Sequence, residues 1–295
     1  MIARTMRAAA LMAMLPMASL AASDDWSAVG TALGKAGTVM PGDVYRVGLP
    51  RTDLHVTLDG VDIKPSLALG GWLAFRSHGG MAMVMGDLVL TADEINPVMK
   101  KLVESGIEIT AVHNHLLRAE PATFYMHVLG NGDPVKLASA LHEGLAQSHT
   151  PFAAPAPAPA TPAPLELDTA MIDRTLGAKG NAVGGVYQVT IKRAEAVQDG
   201  GMEVPVAMGS GEAINFQPTG GGKAAITGDF VLTAKEVNPV LRALRGNGIE
   251  VTALHNHMLD DEPRLFFMHF WANDDAQKLA TGLRKALDQV NLARS

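Results

Sequence analysis

The chain has 295 residues, 47% of them hydrophobic and 18% charged, which supplies core material for about two domains and excludes a disordered chain. Its formal net charge of −6 argues against a phosphate-binding surface, and so against nucleic acid as a partner. With no cysteine, the chain has no disulfides, thiolate metal sites, covalent haem attachment or lipoprotein anchor.

The first residues read as an address. Arg4 and Arg7 precede an apolar run from Ala8 to Leu20, and Ser19-Leu20-Ala21 offers small residues at a cleavage site. This is the pattern of a secretory signal peptide, residues 1–21, in a run too short to span a bilayer comfortably. The mature chain is expected to begin near Ala22, without a stable membrane anchor, in a bacterial periplasm or outside the cell. A domain of this size folds there without disulfide staples.

After it, strand-like runs come first: Val44–Leu49, His55–Leu58 and Trp72–Arg76, separated by the turn signals Asp59-Gly60 and Gly70-Gly71. Met81–Leu90 alternates, with Met81, Met83 and Met85 in phase. Gly86-Asp87 reads first as a turn, with Asp87 at a site rim as the alternative. Thr91-Ala-Asp-Glu94 is a capping box that opens a helix ending at Gly106. Pro97 lies too deep for its first position. Either the helix is kinked, or a single turn ends there and Asn96 caps a second start. Ile107–His115 and Phe124–Leu129 read as strands about a turn at Glu120-Pro121. A helix over Asp133–Gln147 has one apolar face.

Residues 150–165, rich in alternating Pro and Ala, read as an extended linker. Beyond it the unit repeats. At an offset of 142, Gly86–Gly130 matches Gly228–Ala272 at 25 of 45 positions without a gap. The capping box recurs as Thr233-Ala-Lys-Glu236, and a last helix covers Asp274–Gln289. The chain is therefore expected to hold two homologous α+β domains, 24–149 and 166–292. Each would be a mainly antiparallel sheet with two helices, and a ferredoxin-like sheet with added strands fits that order.

Six of the ten histidines fall in two short windows: His113, His115 and His127, and their counterparts His255, His257 and His269. On a strand, His113 and His115 share a face, predicted to be that of Ile109 and Ala111. A hairpin in suitable register brings His127 across from them, and Glu120 follows the turn. Three imidazoles and a carboxylate suit zinc, iron, manganese or copper, with Glu120 and Glu262 as general bases or as acceptors behind the ligands. The structural alternative is a buried His/Glu hydrogen-bond network that specifies the hairpin. The carboxylates added at Asp260 and Asp261 favour cations at the second copy. Tyr45 and Tyr187, and the Met81–Met83–Met85 stripe, read as packing. Gly220-Gly221-Gly222-Lys223 lacks the rest of a P-loop.

The run Gly-Asp-x-Val-Leu-Thr-Ala-x-Glu-x-Asn-Pro-Val, with Gly-Ile-Glu-x-Thr-Ala-x-His-Asn-His and Glu-Pro-x-x-x-x-Met-His, resembles the LppY/LpqO-type domain of unknown function, here in two tandem copies. The resemblance implies an exported bacterial protein and no particular activity. If the chain is an enzyme, metal-assisted hydrolysis needs the fewest assumptions. The rival readings are a non-enzymatic module binding a small molecule or an envelope protein, and a purely structural envelope protein.

Overall fold

The computed structural model describes residues 25–152 and 164–294. The expected signal peptide, and the expected linker apart from residues 150–152 and 164–165, lie outside the described residues.

The first half runs α1 (Ser27–Leu33), β1 (Thr38–Met40), β2 (Val44–Pro50), β3 (Val56–Leu58), β4 (Val61–Ile63), α2 (Pro65–Ala68), β5 (Gly70–His78), β6 (Met81–Thr91), α3 (Ala92–Glu104), β7 (Glu108–His113), β8 (Thr123–Gly132) and α4 (Pro134–Leu145). The second half runs α5 (Thr169–Leu176), β9 (Asn181–Val183), β10 (Val186–Ile191), β11 (Gln198–Asp199), β12 (Met202–Glu203), a 3-10 turn (Val206–Met208), β13 (Glu212–Gly220), β14 (Lys223–Thr233), α6 (Ala234–Gly246), β15 (Glu250–His255), β16 (Asp261–Glu262), β17 (Leu265–Asp275) and α7 (Ala276–Leu287). Each half builds one six-stranded antiparallel sheet, in the order β1-β2-β5-β6-β8-β7 and, equivalently, β9-β10-β13-β14-β17-β15. Within each, β6-α3-β7 or β14-α6-β15 is a split β-α-β unit whose gap is filled by the returning strand, so the α+β expectation holds.

Local chemistry fixes the joints. Both halves of the capping box form: the Thr91 side chain accepts from the Glu94 backbone, and Glu94 accepts from the Thr91 backbone at 2.9 Å. The helix then continues through Pro97 to Glu104 as one element, so Asn96 caps nothing. Glu94 also receives Arg51 at 2.7 Å, which ties the helix start to the end of β2.

Period two sorts each sheet into two faces. On β6, Ala82, Val84, Leu88 and Leu90 join Leu73, Phe75, Val98, Leu102 and Leu141 in a core beneath the helices. The opposite face carries Met83 and Met85, buried as the packing reading expects, while Met81 at the start of the strand is exposed. That face packs with Val197, Val204, Met208 and Phe267 of the other half. Reciprocally, the β3-β4-α2 excursion of the first half packs with Val186, Ala225 and Trp271 of the second. Polar contacts lock this exchange. Trp271 Nε1 donates to Asp59 at 3.0 Å, Gln188 to the Ser66 carbonyl at 2.7 Å, and Arg76 to the Glu203 carbonyl at 2.6 Å. The result is two sheets with their inner faces pressed together and helices outside.

Candidate metal centre

The histidines lie on those inner faces. In the first half, Asp87 on β6 pairs with His127 on β8, which pairs with Ala111 on β7. His113 pairs with Tyr125, so Asp87, His113 and His127 share one face. The second half repeats this with Asp229, His269, Ala253 and His255.

A register shift lies between Ile109 and Ala111, and another between Val251 and Ala253. The extra residues, Thr110 and Thr252, reverse the alternation. Ile109 therefore packs into the helix-side core while Ala111 and His113 face the other half, which corrects the expectation that Ile109 shares the histidine face. Thr110 Oγ1 donates to the His257 carbonyl at 2.7 Å, and Asn256 Nδ2 donates to the Thr110 carbonyl at 2.9 Å. The bulge thus docks one His-Asn-His segment onto the opposite strand.

Because the faces oppose each other, the two histidine trios meet. The expectation of a separate site in each half is corrected: there is one locus with six rings. The rings of His113 and His255 stack with centroids 3.5 Å apart. Equivalent pairs repeat closely, with His115–His269 at 3.6 Å and His127–His257 at 3.7 Å. His113–His127 and His255–His269 lie at 4.8 and 4.9 Å. His113–His269 and His127–His255 lie at 5.2 and 5.4 Å. The cluster thus has a near-two-fold axis between His113 and His255.

Nitrogens converge on it. His269 Nδ1 faces the Gly228 carbonyl and Asp229 Oδ1, each at 2.9 Å, which leaves Nε2 pointing inward. That atom lies 2.9 Å from His255 Nε2 and 3.2 Å from His113 Nε2. Two nitrogens bound about 2.1 Å from one ion stand roughly 3.0–3.4 Å apart at octahedral to tetrahedral angles, close to this spacing. Among the described residues, three groups have ligand atoms all within 4.8 Å of one another: His113, His115 and His269; His113, His127 and His255; and Asp229, His255 and His269.

The rings are buried or half-buried, and those of the first half are under-bonded. His127 is 2% exposed and, among the described residues, neither of its nitrogens has a hydrogen-bond partner, and His113 Nδ1, His115 Nε2 and Asp87 Oδ1 share that condition. Such orphans are costly unless an ion or ordered water meets them. Burial, reinforced by neighbouring imidazoles, pushes His113, His115 and His127 far below the usual histidine range. Burial likewise lowers His255 to about 3 and His257 to about 4. His269 is the exception, because the Asp229 carboxylate outweighs burial and holds it above its ordinary value. The other five rings are thus neutral near pH 7, the state in which imidazole binds a metal.

Glu120 and Glu262 stand elsewhere. Both side chains are exposed and belong to none of the three close groups. Their backbones are occupied in short pairings, Glu120 with Thr57 and Glu262 with Gln198. The carboxylates at the histidines are Asp87 and Asp229. Gly86-Asp87 is no turn: β6 runs unbroken through it. Asp87 Oδ1 lies 3.9 Å from His127 Nδ1 and Oδ2 lies 4.0 Å from His115 Nε2. The signal was present in the sequence, since Asp87 is in phase with Met83 and Met85.

What these features define is a duplicated α+β protein with a histidine-aspartate centre between its halves. The chain belongs to the family described as Domain of Unknown Function (DUF1259), whose model matches residues 27–147 and again residues 170–289. No curated protein matches the sequence. Among solved structures, the chain is similar to the trimeric bacterial microcompartment shell protein PduB, at 15% identity over 88% of this chain and 95% of that one, with a TM-score of 0.20. It is also similar to EtuB from Clostridium kluyveri, at 9% identity over 85% of this chain and 88% of that one, with a TM-score of 0.20.

Proposed function

We propose that this is an exported protein that binds a divalent transition metal at the histidines shared by its two halves. One observation carries the reading: six imidazoles, three buried and three half-buried, gather at one place, and His113, His115 and His127 each bring a buried nitrogen without a hydrogen-bond partner among the described residues. Imidazole with carboxylate suits zinc, iron, manganese or copper, and the chain has no thiolate to compete. His113, His115, His127, His255, His257 and His269 would hold the ion. Asp229, and Asp87 at longer range, would orient the rings from behind.

Elemental analysis of tag-free protein tests this. We expect stoichiometric metal that a chelator removes, and loss of that metal in His113→Ala/His255→Ala. Metal-free protein whose melting temperature no added ion changes overturns the reading. A bound ion supplies Lewis acidity and a water of lowered pKa. Chelator-sensitive turnover of an ester or phosphoester panel supports a hydrolase, and no turnover by metal-loaded protein supports a binding module.

Export rests on the charged, apolar and small-residue pattern before Ala22 and on the LppY/LpqO-type motif. Among the described residues, no helix is long and apolar enough to cross a membrane. A periplasmic fraction containing a chain that starts at Ala22 supports export, and an unprocessed cytoplasmic chain refutes it.

A further inference from the structure

We infer that the centre holds two ions rather than one, and that each is bound by the His-Asn-His pair of one half and the strand histidine of the other. This rests on the metal-binding reading above. Six imidazoles and two carboxylates exceed the roughly four to six donors that one first-row ion takes. The near-two-fold axis gives every off-axis ligand set a mate. Two such sets must each take one ring from each related pair: His113 or His255, His115 or His257, and His127 or His269. Of the sets so formed, His113, His115 and His269 is the one whose ligand atoms all lie within 4.8 Å of one another. Its two-fold mate, His255, His257 and His127, is more open and is not one of the three close groups.

His115 lies against His269, and His257 lies against His127, each across the boundary between halves. The strand histidines have carboxylates on their Nδ1 side, Asp229 at 2.9 Å from His269 and Asp87 at 3.9 Å from His127. That leaves their Nε2 atoms for metal. Neither ion site is complete within one half, which explains why the halves exchange excursions and bury their histidine faces against each other.

Zinc stoichiometry on the full tag-free chain, by equilibrium dialysis and elemental analysis, decides the matter. We expect two equivalents for the unmodified chain. One should remain in His115→Ala, in His269→Ala and in the double variant carrying both. None should remain in His115→Ala/His127→Ala, which damages both sets. One equivalent in the unmodified chain overturns the two-ion inference and leaves the metal reading intact, whereas none overturns both. A double variant His115→Ala/His269→Ala that loses all zinc overturns the division across halves. Thermal melting checks that each variant is folded, and the corresponding Gln variants replace any Ala variant that is not.

Discussion

Asp87 and Asp229 follow the same glycine on the same strand of the two halves, yet they hold their protons differently. Burial and the nearby Asp229 push Asp87 up to about 7. Asp229 has a more exposed side chain, 31% against 12%, and although burial still raises it, His269 beside it, with His255 and His257, keeps it below its ordinary value. The arginine hubs diverge in a similar way. Arg51, 1% exposed, meets Glu94 and Asp53, whereas Arg193, also 1% exposed, meets Glu236, Glu195 and a third carboxyl, Glu212. Glu212 stands where the first half has Gly71, since Glu212 pairs with Ile191 as Gly71 pairs with Leu49, and it is fully buried with its pKa raised well above the usual range by that burial. Duplication copied the fold, but the electrostatics of each copy depend on what the other copy and later substitutions place beside it.

The largest expected effect separates the two hubs. Glu94 is ionised: burial opposes the charge, but hydrogen bonds from Arg51 and the backbones of Thr91 and His149 hold it at about 2. Glu94→Gln leaves the Arg51 charge short of its deepest partner and is expected to cost about 3–5 kcal/mol at pH 7. Burial pushes the Glu212 carboxyl well above its usual range, and it accepts from the Val231 N–H at 2.8 Å, which a glutamine preserves. Glu212→Gln is expected to change stability by less than about 1 kcal/mol. Urea unfolding checks both, and equal costs break the distinction.

The same comparison predicts an acid window. Glu94 and Glu236 are both depressed in the folded chain. Their stabilisation is fully present above the unfolded glutamate value of about 4.3 and is lost as pH falls through the folded values. Melting temperature should therefore fall below about pH 4.5 and keep falling toward about 2, the folded value of Glu94. In Glu94→Gln this slope should be shallower, and an unchanged slope counts against the hub as its source.

Next come the glycines that precede the two aspartates. A Cβ at Gly228 would lie 1.8 Å from the Ala213 carbonyl oxygen, which is rigid backbone. At Gly86 the nearest atom is a Leu73 methyl at 2.5 Å, which can turn aside, with the Trp72 oxygen at 2.9 Å. Both alanine variants should destabilise by about 1–3 kcal/mol, Gly228→Ala by more than Gly86→Ala. Paired denaturant melts that reverse the order would show that β14 yields more easily than β6.

The repeat, the strand runs, the capping boxes and the residue types at the centre could be read from the sequence, because each is local: a period, a cap, a spacing. The meeting of the two trios could not. It depends on inner faces that look amphipathic from either half alone and become core only when Met83 and Met85 find Val204 and Phe267. The bulges at Thr110 and Thr252 were hidden too, since a β-branched residue in a strand gives no sign that it is the extra one. Glu120 attracted attention by its distance along the chain from the histidines, while Asp87, on a neighbouring strand, reached them through the sheet.

The smallest expected effect tests the last difference at the centre. His115 stacks on Tyr125 with ring centroids 3.4 Å apart and the planes within 5°. His257 meets Phe267 at 4.7 Å and 47°. Tyr125 Oη also donates to the Ala68 carbonyl at 2.7 Å, a bond that Phe267 cannot make. Tyr125→Phe keeps the ring and removes the bond, leaving the Ala68 carbonyl short of a donor, so it should cost about 1 kcal/mol. If the hydroxyl acts only as an anchor for α2, metal content should stay unchanged while urea stability falls by that amount. A loss of bound metal in this variant would show instead that the hydroxyl positions the ring on which His115 rests, making the first copy the one whose centre depends on a tyrosine.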